Sequence, residues 1–86
     1  MTREEIFTIV KANVQTVIEG AKGQEIAETN SMRDYGADSL EIVEVVSRSM
    51  KQLKVKVPRT VLSDARNLGD LVTLFEQAHA QATVSQ

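Results

Sequence analysis

The sequence predicts an all-α fold, a small up-and-down bundle of three main helices plus one short helix, with residues 1–86 forming a single domain. Three observations predict it. Apolar residues recur at helical spacing in three separate stretches. Each of those stretches opens on a capping signal: Thr2-Arg3-Glu4-Glu5, Asp38-Ser39-Leu40-Glu41 and Asn67-Leu68-Gly69-Asp70. The one segment that alternates like a strand, Lys54-Val55-Lys56-Val57-Pro58, has no second strand to pair with. A single core at this chain length supplies little surplus stability, so the fold must be simple and local.

The first helix is expected over 2–19. Thr2 is its N-cap and Glu5 reaches back, while Ile6, Ile9, Val10, Val14, Val17 and Ile18 form one apolar stripe. Its β-branched content lowers intrinsic helix propensity, so burial of the stripe must hold it. Gly20 is expected to stop it as a C-terminal glycine. Residues 20–37 then make a long connection, anchored by Ile26, Met32 and Tyr35, with room for a short turn near Lys22–Glu28.

The second helix is expected over 38–53, capped by Asp38 with Glu41 reaching back. A helical wheel gathers Leu40, Val43, Val46, Ser47, Met50 and Leu53 on the apolar face, in line with Ser39. It gathers Glu41, Glu44, Arg48, Lys51 and Gln52 on the other, with Val45 among the polar positions and Ile42 at the edge. Pro58 keeps Val57 out of helical geometry, so 54–58 reads as an extended connector. Arg59–Ala65 forms a short helix burying Val61 and Leu62. The last helix, capped by Asn67 with Asp70 at the capping-box position, buries Leu68, Leu71, Val72, Leu74, Phe75 and Ala78. Residues 81–86 are small and polar and are expected to fray.

Composition removes several function classes. The chain has no cysteine, so disulfides, thiolate metal sites and thiol catalysis are out together. A net charge of −2, and basic residues without interleaved aromatics, argue against a nucleic-acid binder. No apolar run is long enough to span a bilayer and the N-terminus is acidic, so a soluble, cytoplasmic, untargeted protein is expected. The acids show no metal-ligand spacing and no glycine-rich phosphate loop is present. The charge is unevenly spread. Six acids lie between Ala21 and Glu44 against Lys22 and Arg33, and six bases lie between Val45 and Arg66 against Asp64 alone.

The stretch Asp34-Tyr35-Gly36-Ala37-Asp38-Ser39-Leu40 carries the one chemical signal. It puts the Ser39 hydroxyl in the first turn of a helix, beside unpaired N–H groups and the positive end of the dipole, where a phosphodiester is well placed. Serine is also an ordinary residue there. The stretch resembles the modification motif of acyl carrier proteins, Asp-Leu-Gly-x-Asp-Ser-Leu, and the resemblance extends over most of the chain. It implies that a phosphopantetheinyl transferase moves 4′-phosphopantetheine from coenzyme A onto Ser39, with Asp38 as the adjacent motif acid. Acyl groups then ride as thioesters on the arm. It also implies a partner face of Leu40, Glu41, Ile42, Glu44 and Val45, on which the acidic helix start steers encounter with basic partners. Acyl-loading and acyl-using enzymes, a ketosynthase or a hydroxymethylglutaryl-synthase-like enzyme, are the implied partners of a carrier that is monomeric on its own.

Departures sharpen the expectation. Tyr35 replaces the usual leucine. The second helix ends in Arg48, Ser49, Met50 and Lys51 where fatty-acid carriers are often acidic, which favours a specialised pathway. Lys-Val-Pro-Arg and the segment Ala65–Val72 resemble free-standing carriers of polyketide β-branching cassettes. Acceptor carriers of that kind often have a tryptophan six residues after the serine; here that position is Val45, so a donor of acetyl groups is expected. Two other readings are weighed. An unmodified helical module would dock through the second helix, and an enzyme would need Ser39 within hydrogen-bond reach of His79. The inventory of groups favours no catalytic residue.

Overall fold

The computed structural model describes residues 2–84, and the side chains of residues 2–80. Four helices follow one another: α1 (Arg3–Val17), α2 (Ser39–Leu53), α3 (Arg59–Leu62) and α4 (Leu68–Val84). Two single 3₁₀ turns, Glu19–Ala21 and Met32–Tyr35, punctuate the long connection between α1 and α2. No strand occurs among the described residues; 55–58 connects the helices without pairing, and Lys54, expected to be extended, is left-handed and caps α2. Among the described residues no helix is long and apolar enough to cross a membrane.

The α1 helix is set by its predicted box. Thr2 Oγ1 accepts from the Glu5 amide at 3.2 Å and the Glu5 carboxylate accepts from the Thr2 amide at 2.8 Å. The backbone bond to Thr2, with its hydroxyl adding to the effect, holds the Glu5 carboxyl below its ordinary range. Ile6, Val10, Val14 and Ile18 are fully buried. They meet Val45, Val46 and Leu53 of α2 and Leu68, Leu71, Val72 and Phe75 of α4 in one cluster. Each such large apolar side chain stabilises the fold by about 1.5–3 kcal/mol relative to exposure.

Gly20 does not terminate α1. The helix ends at Val17 on an extended Ile18, and Gly20 lies inside the first 3₁₀ turn. What requires glycine there is space, because a β-carbon would run into the Tyr35 carbonyl oxygen. No helical turn forms within Lys22–Glu28, for which the sequence left room; non-helical turns occur at Lys22–Gly23 and Glu28–Thr29. Ile26 and Tyr35 are buried and Met32 packs against the core as anchors. Tyr35 does more than fill space: its hydroxyl accepts from the Ala27 amide and Asn30 Nδ2 and donates to the Glu25 carbonyl.

The connection also closes onto α4. The Leu68 amide donates to Asn30 O and the Gly69 amide to Glu28 O, both at 2.9 Å, which satisfies two of the orphan donors of the α4 start. Asn67 Oδ1 accepts from the Asp70 amide at 2.8 Å, as expected of the cap. Asp70 reaches back one residue further than expected, to the Arg66 amide. Arg3 binds the start of α1 to the same region. It donates to Thr73 Oγ1, Glu28 Oε1 and Gly69 O, and lies 3.5 Å from Glu76.

Two expectations fail in the second half. The short helix is one turn, Arg59–Leu62, and Val61 is exposed rather than buried. The α4 helix continues through Val84 where fraying from residue 81 was expected; residues 85 and 86 lie outside the described residues.

Candidate functional site

The site begins with a chain held on both sides. Asp34 Oδ2 accepts from the Ser31 amide at 2.8 Å and boxes the second 3₁₀ turn. Gly36, at φ 85°, takes the left-handed conformation that ends that turn and redirects the chain. Buried Tyr35 and Ala37 fix the backbone up to Asp38. Asp38 then caps α2: Oδ1 accepts from the Glu41 amide at 2.8 Å, and Glu41 Oε1 accepts from the Asp38 amide at 3.0 Å.

Ser39 is therefore the first residue of α2, and it is exposed. The intrahelical bonds begin only at the Ile42 amide, so the Ser39 and Leu40 amides stand free of them at the positive end of the dipole. What the arrangement does is present an alcohol to solvent, on a rigid tip, beside donors that suit an attached phosphodiester. The residues present fit a 4′-phosphopantetheine arm: the tip is open, and Leu40 beside it is 80% exposed.

The structure corrects the expected partner face. Leu40 and Glu44 are exposed, and Glu41 and Ile42 are half-buried. Val45 is fully buried, so its side chain has no surface to offer a partner. Val43, placed in the core by the wheel, is 49% exposed, and Ser47 is exposed as well. The buried face is Val45, Val46, Ser49 and Leu53. The wheel was misplaced by about one residue's rotation, ~100°. The reason is polar. Ser49 is fully buried because its Oγ accepts from Asn13 Nδ2 at 3.0 Å, and Gln52 Oε1 accepts from the same amide at 2.9 Å. A polar residue that belongs to the core pulls the buried face toward itself. Asn13 within the α1 stripe was the one signal of this in the sequence.

A groove of about 430 Å³ runs between α2 and α3, and one of about 360 Å³ is bounded in addition by Met32 and by Leu68 and Leu71 of α4; they share Ile42, Val46, Leu62 and Ser63. Ile42 lies one turn from Ser39, so both grooves open near the helix tip.

A helical bundle that displays an exposed serine on a capped helix start is suited to carrying an attached group. The family model of the phosphopantetheine attachment site matches residues 10–75, and the chain belongs to that family, the acyl carrier proteins. The polyketide biosynthesis acyl-carrier-protein AcpK of Bacillus subtilis (strain 168) is 28% identical, over 87% of this chain and 92% of its own. The acyl carrier protein of Thermotoga maritima is 33% identical, over 88% of this chain and 94% of its own. A solved chain from the complex of the curacin biosynthetic pathway HMG synthase with acetyl donor-ACP superposes with a TM-score of 0.78. It is 28% identical, over 87% of this chain and 96% of that one.

Proposed function

We propose that Ser39 receives 4′-phosphopantetheine from coenzyme A through a phosphopantetheinyl transferase. We propose further that the loaded chain donates acetyl groups to a hydroxymethylglutaryl-synthase-like enzyme in polyketide β-branching. The observation that carries the first part is the exposed Ser39 hydroxyl at the Asp38-capped tip of α2, inside the family's motif. In the attachment, Ser39 Oγ loses its proton and bonds to phosphorus as 3′,5′-ADP leaves. The arm supplies a thiol that holds an acyl group as a thioester. Asp38 keeps the tip ordered, and Leu40, Val43 and Glu44 face the partner. Supporting the donor role are the likeness to a polyketide carrier and to the acetyl donor of an HMG synthase complex. The absence of tryptophan at Val45 supports it too. The chain works as a cytoplasmic monomer.

Incubation with coenzyme A, Mg²⁺ and a promiscuous transferase, followed by intact mass, tests the attachment. A gain of one phosphopantetheine is expected for the native chain and none for Ser39→Ala. The variant is expected to fold within about 0.5 kcal/mol of the native chain, as an exposed side chain outside any cap bond should. A folded, unmodified native chain that gains no mass overturns the assignment and leaves a plain docking module.

A further inference from the structure

The exposed strip along α2 changes sign from one end to the other. At its start Glu41 and Glu44 accompany Leu40 and Val43. Beyond its middle, Lys51, Lys54 and Lys56 ring a shallow depression of about 400 Å³ whose apolar lining is Met50 and Val55. All three lysines are exposed, and none is among the ion pairs of the described residues. Arg48, 3.7 Å from Glu44, marks the border between the halves. The helix dipole accounts for Lys51 in the last turn. It does not account for Lys54 and Lys56, which lie past the helix end.

Lys54 carries a second observation. Among the described residues it is the one non-glycine with positive φ, at 58°. Its amide donates to Lys51 O and that of Val55 to Met50 O, the pairing of a Schellman cap in which glycine is the usual residue. A lysine standing where the backbone favours glycine points to a use for the side chain outside the fold.

We infer that α2 and the lysine ring behind it form one dipolar docking strip for the acyl-using enzyme this carrier serves. That enzyme presents an acidic patch to Lys51, Lys54 and Lys56, and a basic patch to Glu41 and Glu44. The inference rests on the carrier and donor readings and describes the partner they require. Glu44 and Lys51 lie seven residues apart, roughly 10 Å along the axis, and Glu41 and Lys54 thirteen, roughly 20 Å. Both exceed the screening length of about 8 Å at physiological salt, so the ends act as separate charges. Docking end for end in the wrong sense would set like charges together at both ends. The strip thus admits one direction of approach, with Ser39 at the partner's basic end, while Leu40, Val43 and Met50 supply apolar contact.

The test uses the acetyl-loaded chain with the HMG synthase of the curacin pathway as probe, and reads kcat/KM for acetyl transfer. The variants are K51E/K54E/K56E and, as a milder set, K51Q/K54Q/K56Q. Lys22→Glu, which alters a lysine paired to Glu19, serves as control. Circular dichroism melts establish that each is folded. The expected result is a loss of roughly ten-fold or more for the Glu set, carried by KM, smaller for the Gln set, and shrinking as salt is raised. An unchanged or raised kcat/KM, a loss shared by Lys22→Glu, or a loss insensitive to salt overturns the inference alone. No transfer from a native chain whose mass shows the loaded arm overturns the inference together with the donor reading, and leaves the attachment at Ser39 standing.

Discussion

Asn13 and Ser49 are polar, buried to 3% and 0% exposure, and joined to each other across the α1–α2 contact. A buried hydrogen bond contributes modestly as a pair, whereas a buried partner left alone costs about 1–3 kcal/mol. Replacing Asn13 with leucine is therefore expected to lose about that much stability in urea unfolding. The double variant Asn13→Leu with Ser49→Ala should recover a measurable part of the loss, because no donor or acceptor is then stranded. Equal losses for the single and double variants would mean that Ser49 finds another hydrogen-bond donor. The same two residues explain the main error in reading the surface from the sequence. Hydropathy alone sends Ser49 outward and Leu40 inward; packing on α1, with the Asn13 amide on Ser49 and the apolar stripe on Val45, Val46 and Leu53, reverses that order. Val45 was lost from the partner face, and Val43 gained, for this reason.

At the level of elements, the caps were legible and the faces were not. Thr2, Asp38 and Asn67 each do what their residue type and spacing indicate, because a cap depends on four adjacent residues and nothing else. Ser39 was legible for the same reason: its position follows from the cap beside it. The buried face of a helix depends on what lies opposite, and for α2 that is another helix some 30 residues earlier in the chain, outside any local window. Gly20 was misread in the same way, since its neighbour is the distant Tyr35 carbonyl. The end of α2 offers a prediction at this scale. Lys54→Gly relieves a left-handed conformation that disfavours a β-carbon, and a net gain of about 0.5–1 kcal/mol in unfolding free energy is expected. A loss would show that the lysine stem contributes packing that outweighs its backbone.

At one end of the molecule one side chain joins three segments of the chain. Arg3 reaches Glu28 on the long connection and Gly69, Thr73 and Glu76 on α4, so it ties the first helix, the connection and the last helix together. Arg3→Met keeps the stem and removes the guanidinium. It is expected to cost about 1–2 kcal/mol, less than the sum of its charged bonds because the site is partly open to water. Amide exchange gives a sharper readout. The Leu68 and Gly69 amides, which donate to Asn30 and Glu28, should exchange faster in the variant, while those of α2 change less. Uniform acceleration across all helices would mean that Arg3 supports global stability and does not pin the connection. The placement of this arginine also orders events during synthesis. Arg3 leaves the ribosome early, whereas Gly69, Thr73 and Glu76 follow only after a few more seconds of elongation. Until then a nascent chain holds α1 without the helix that completes its cover. Closure of the bundle therefore waits for α4, although the α1–α2 contact through Asn13 and Ser49 needs only the earlier part of the chain.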